Sequence, residues 1–126
     1  NQLIFVWHML TGDENNIQDT KIEFELAKIN EIKGNWTDIS FCLDFENKRM
    51  DAWLNGEKKV EYPNSPINFK PVSIYFKYGI YRSFVSRYKQ KNGSIPTQIV
   101  YYDEVRRGDS VDKVDININP KLKAID

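Results

Sequence analysis

The chain has 126 residues, eighteen basic and eighteen acidic, enough for one domain with a real core but without the net field that draws nucleic acid or an anionic membrane. No apolar run approaches the roughly 18 residues that a membrane-spanning helix needs, so neither nucleic acid nor a membrane is expected as a partner. The single cysteine, Cys42, excludes an internal disulfide, and its alternating apolar neighbours make it a small core or near-core side chain.

Taken in chain order, the predicted elements are almost all strands. Gln2 to His8 sets Leu3, Phe5 and Trp7 on one face and Ile4, Val6 and His8 on the other, since successive strand side chains point to opposite faces. The opening NQLIFVWHML carries no methionine, cap or polar lead-in. It reads as a strand already under way, so an N-terminal part of the domain is expected before it. TGDENNIQD is expected to be a loop. Lys21 to Ile29, KIEFELAKI, alternates at first and later also fits a helical turn; strand is the favoured reading. In TDISFCLDF, Ile39, Phe41, Leu43 and Phe45 share one face and Asp38, Ser40, Cys42 and Asp44 the other, the pattern of a half-buried antiparallel strand.

Met50 to Leu54 and a return through Tyr62 flank Asn55-Gly56, a strong local hairpin signal because both residues tolerate positive φ. PNSPINFKP then breaks the pattern. YFKYGIYRS, Tyr75 to Ser83, predicts a strand with Tyr75, Lys77, Gly79 and Tyr81 on one face and Phe76, Tyr78 and Ile80 on the core side. An amine and two phenols around a residue with no side chain is what a groove floor would look like if a ligand is to lie close to the sheet; the same pattern also fits a solvated sheet face or an edge guard. Arg82 falls on the core-side parity unless a bulge near Gly79 re-aims it. SRYKQKNGSIP is expected to be a polar loop carrying Arg87, Lys89 and Lys91 beside that groove. Thr97 to Val105 predicts a strand in which Asp103 shares a face with Ile99 and Tyr101, marking a buried, hydrogen-bonded or metal-linked carboxylate. The tail VDKVDININPKLKAID alternates weakly, as an edge strand or a terminal arm. Many short strands with turn signals and little helix predict an all-β fold, an antiparallel β-sandwich or jelly roll formed by residues 1–126 as a single domain.

The motifs exclude several chemistries. There is no Cys/His zinc cluster, Gly-rich phosphate loop, G-x-S-x-G elbow or helix-loop-helix calcium loop. With one histidine in the chain, catalysis has to rest on His8, tyrosines, lysine or arginine, or carboxylates.

Five spaced segments carry a resemblance: FVWH at Phe5–His8, GNWTDISF at Gly34–Phe41, DAWLNGEKKV at Asp51–Val60, YFKYGIYR at Tyr75–Arg82 and QIVYYDEVRRG at Gln98–Gly108. In this order they resemble the heparin lyase I and glucuronan lyase type of polysaccharide lyase, families thirteen and twenty, over about residues 5–108, with 109–126 as a tail. The resemblance implies a concanavalin A-like jelly roll, of which the chain would be the C-terminal part. It also implies β-elimination on an anionic, uronate-containing polysaccharide, and a secreted or periplasmic protein.

By that resemblance His8, Lys77 and Tyr81 are the catalytic candidates. His8 would take the C5 proton, Tyr81 would protonate the leaving oxygen or take both roles for the other C5 epimer, and Lys77 would neutralise a substrate anion. Tyr75, Arg82 and Arg87 are the substrate-binding candidates. No cofactor is required for the chemistry, and a structural calcium is implied without assigned ligands. Jelly-roll lyases often carry a glutamine two residues before the histidine to hold the uronate carboxylate, whereas this chain has Val6. That departure keeps a non-catalytic carbohydrate-binding jelly roll open as the alternative, with a structural interaction domain as a third reading.

Overall fold

The computed structural model describes residues 2–13, 15–64, 77–79, 84–97 and 99–122. They divide between two compact units, residues 1–70 with 106–126, and residues 71–105. The architecture is mostly β, with two small antiparallel sheets and few helices.

In the first unit, β1 (Gln2–Asp13) pairs antiparallel with β2 (Asn16–Lys28) along their whole length. Of TGDENNIQD, expected to be a loop, residues 11–13 and 16–19 are therefore strand. They continue both strands to the Asp13–Asn16 pair, because the ladder begun by the apolar segments satisfies polar backbone as readily as apolar backbone. The alternation in β1 holds as expected: Trp7 is buried and Leu3 and Phe5 pack inward, while Ile4, Val6 and His8 are exposed. Pairing shifts at Leu3/Ile4, and this bulge lets the successive residues Leu26 and Ala27 both be buried. β2 gives way to a single helical turn, α1 (Ile29–Ile32), so the strand reading of Lys21–Ile29 holds for all but its last residue.

β3 (Ile39–Asp44), β4 (Arg49–Leu54) and β5 (Glu57–Tyr62) form an antiparallel meander. The expected Asn55-Gly56 turn joins β4 to β5, with φ of 50° and 80° and Leu54 paired with Glu57. Trp7 and Leu26 of the hairpin and Met50, Ala52 and Val60 of the meander make one buried cluster, against which Leu43, Phe45 and Tyr62 also pack. Two ring pairs join the sheets, Phe5 with Phe41 at 5.9 Å and Phe24 with Tyr62 at 5.6 Å.

The reverse face of β3 departs from expectation. Ser40 is buried because the tail folds back over it, and Phe41, on the other face, is partly exposed. It is neither an edge strand nor a free arm: 3-10 turns at Val111–Lys113 and Pro120–Leu122 bracket Asp115, which has no accessible surface. Ser40 Oγ donates to Asp115 Oδ2 at 2.6 Å, and the backbone N–H groups of Asn117 and Ile118 donate to Oδ1 at 2.8 and 3.2 Å. Burial pushes the Asp115 carboxyl upward, but these hydrogen bonds outweigh it and hold it below the ordinary aspartate range.

Asn117 also packs against the hairpin turn. Its Nδ2 donates to Asp38, whose N–H donates to Asn55 Oδ1 at 2.9 Å. A Cβ at Gly56 would stand 2.7 Å from Asn117 Cβ, too close for either side chain to yield easily. Gly56→Ala therefore combines a clash with a left-handed backbone and is expected to destabilise the chain by about 1–3 kcal/mol, measured as a lower urea midpoint with an unchanged slope.

The second unit differs from expectation more sharply. SRYKQKNGSIP is not a loop, because Val85–Asn92 forms a helix, α2. Arg, Lys and Gln are good helix formers, and Gly93, at φ +76°, closes the last turn by donating its N–H to Lys89 O. The expected strand over Thr97–Val105 is not formed among its described residues. Ile99 and Tyr101 are 69% and 77% exposed, and Glu104 sits at φ 52°. A strand needs a ladder partner, and the sheets of the described residues are made by β1–β5 alone; the left-handed Glu104 interrupts the run only near its end. Among the described residues no helix is long and apolar enough to cross a membrane.

Candidate functional site

His8 sits on the solvent-facing side of β1, directly across the ladder from Lys21. Because β2 alternates too, Asp19, Lys21 and Glu23 lie on the same side of the hairpin, and Val6 faces Glu23. Within this row His8 Nε2 is 2.5 Å from Asp19 Oδ1, and the Lys21 ammonium pairs with Glu23. Both members of the His8–Asp19 pair are well exposed, at 61% and 62% for their side chains. The apolar face of the same strands is sealed against the meander, so an imidazole with a carboxylate on one nitrogen is held on a rigid ladder and open to a ligand.

Asp19 and Lys21 are the residues that sequence reasoning missed. The signal was the register. Once Gln2–His8 and Lys21–Ile29 are taken as the arms of one hairpin, antiparallel pairing brings Lys21 opposite His8, and Asp19 two residues further along the same side.

Lys77 and Arg87 belong to the second unit and are exposed there. Residues 77–79 are not a strand, and Gly79 takes φ +140°, a backbone that interrupts the extended alternation expected for Tyr75–Ser83. Tyr78, expected on the core side, is 62% exposed, and its ring meets that of Tyr102 edge-on at 5.4 Å. Arg87 stands on α2 rather than in a loop, with its guanidinium 5.0 Å from the Phe84 ring centre, a cation–π arrangement. Tyr75, Tyr81 and Arg82 lie outside the described residues.

Asp103 is exposed rather than buried and accepts a hydrogen bond from the N–H of Glu104 at 2.8 Å. Among the described residues no three His, Cys, Asp or Glu side chains gather where a metal ion could sit, so no calcium ligand is assigned. Cys42 is half-buried, and burial, then Asp51 and Asp44, push its thiol upward. It is thus kept protonated and is no nucleophile near neutral pH. Asp51, across the ladder from Cys42, is held by Arg49 Nε at 2.8 Å and Lys58 at 3.6 Å. Lys58 also lies over the Trp53 ring, and Arg49 reaches Glu61 at 2.6 Å. The Arg49 and Lys58 contacts engage the Asp51 carboxylate through Oδ2, while its Oδ1 is buried without a hydrogen-bond partner among the described residues.

A family model described as polysaccharide lyase matches residues 5–106. No curated protein and no solved structure matches the chain.

Proposed function

The chain belongs to the polysaccharide lyase family, and from that premise we propose that it cleaves a uronic-acid-containing anionic glycan by β-elimination, in the manner of the heparin lyase I and glucuronan lyase type. The enzyme class, a lyase acting on polysaccharides, follows from membership itself. The glycan, the type within the family, the concanavalin A-like jelly roll, the extracytoplasmic location and the residue roles are our reading. The observation that carries it is an exposed His8 within the matched region, bonded through one nitrogen to a carboxylate and standing across the ladder from a lysine.

In this reaction the base removes the proton at C5 of the uronate. The C5–H electron pair becomes the C4–C5 double bond, the C4–O bond breaks, and the departing glycosidic oxygen takes a proton. Negative charge builds towards the C5 carboxylate, so a cation must meet it. His8 serves as the base and Tyr81 as the acid, a pairing of side chains suited to general acid–base work. Lys21 stands opposite His8, where an ammonium could exchange Glu23 for the substrate carboxylate at the spacing of a directly opposed pair, about 5 Å between β-carbons. It could supply the donor that Val6, whose ladder partner is Glu23, does not. Lys77, Tyr75, Arg82 and Arg87 bind the polymer, Arg87 from α2 as a fork for carboxylate or sulfate. No metal enters the chemistry.

The test is the ultraviolet absorbance of an unsaturated uronate, followed with heparin, heparan sulfate, glucuronan and alginate. Growth of that band on one or more of them is the expected result. Silence on all four with binding retained would overturn the lyase chemistry and leave a carbohydrate-binding module.

A further inference from the structure

We propose that Asp19 is a positioning residue for His8, fixing its tautomer so that Nδ1 carries the lone pair that accepts the C5 proton; the inference rests on the lyase reading above. An ionised carboxylate can only accept hydrogen bonds, and a neutral imidazole has one N–H and one bare nitrogen. With His8 Nε2 at 2.5 Å from Asp19 Oδ1, the one hydrogen of the neutral ring is directed to Nε2. Nδ1 is then the acceptor.

The local structure leaves Asp19 to this task. β2 places four charges along one face, Asp19, Lys21, Glu23 and Glu25, and Lys21 pairs with Glu23, on the side away from Asp19. Asp19 therefore faces His8 without competition from that ammonium. A purely stabilising role fits poorly, because exposed ion pairs contribute little to folding and both side chains here are open to solvent. An exposed pair that does little for stability but dictates which nitrogen is bare is arranged for proton transfer. The ladder fixes the spacing: Lys21 pairs with His8 and Asp19 follows two residues along β2, so both side chains spring from paired strands rather than from a loop.

His8 is the one histidine in the sequence, so a ¹⁵N-labelled chain gives a single imidazole signature, and its two nitrogen shifts report the tautomer of the neutral ring directly. Wild type is expected to show the Nε2–H form. In Asp19→Asn the new amide can donate to Nε2 and move the ring toward the Nδ1–H form. The turnover of uronate is then expected to fall at least about tenfold, as when a base is held in the wrong tautomer, with KM changed by no more than about twofold. Asp19→Glu is expected to restore both the tautomer and most of the rate. A tautomer ratio identical in wild type and Asp19→Asn overturns the proposal whether or not the chain cleaves any glycan. A shifted tautomer with unchanged kcat overturns the catalytic role. Absence of turnover in wild type would count against the lyase reading alone, and the nitrogen shifts would still decide Asp19.

Discussion

His8→Ala is expected to slow the release of unsaturated uronate by about a thousandfold, mid-range for removal of a general base, and to leave the fold intact. The two halves of that expectation come from opposite faces of β1. On one face Trp7, with Leu3 and Phe5, is committed to the core. On the other, His8 touches Asp19 and solvent, so truncating it opens no cavity and orphans no buried group. Circular dichroism and the urea midpoint should therefore match wild type while the absorbance signal collapses. Retained turnover would remove His8 from the mechanism, and lost folding would show that the ring supports the hairpin after all.

The largest expected effect on stability lies at Asp115. Asp115→Ala strips one hydroxyl and two backbone N–H groups of their acceptor inside the protein, and at roughly 1–3 kcal/mol for each buried group left unsatisfied a loss of about 3 kcal/mol is expected after relaxation. Asp115→Asn keeps an acceptor for the N–H groups and should lose less. The carboxyl is held below its ordinary range in the folded chain, so the unfolded chain binds a proton more readily. Its contribution is accordingly complete above the ordinary aspartate value of about 3.9 and is lost as pH falls through the folded value. Urea titrations from neutral to strongly acid pH should show wild type losing its advantage over Asp115→Asn at the acid end. An advantage that persists undiminished there would mean the carboxylate is not the source.

Local patterns carried part of this structure. The inward set Leu3, Phe5 and Trp7 and the Asn-Gly turn were legible because period-two alternation and positive φ are properties of a few adjacent residues. Asp19 was hidden by its polar neighbours, which resemble a loop until a partner strand supplies their ladder. Asp115 was hidden for a different reason. Its spacing to Asn117 is that of an Asp accepting from the backbone two residues on, but the hydroxyl it receives comes from Ser40, 75 positions away, and no local pattern reports that. The strand expected at Thr97–Val105 had the right composition and failed because β-propensity measures fit to a sheet, not the presence of one. Of the candidate site, the exposed face of His8 was legible and its carboxylate was not.

The contrast between the two sheets and the tail bears on the order of assembly. β1–β2 and β3–β4–β5 join strands that follow one another in the chain, so their loops close at small entropic cost, whereas Ser40 and Asp115 must meet across most of the sequence. Contacts of that separation are rewarded late in folding. The tail then acts as a latch that drops after the sheets have formed. Removing Asp115 should leave the refolding arm of a chevron nearly unmoved and raise the unfolding arm, which would make the latch a determinant of how long the folded molecule lasts.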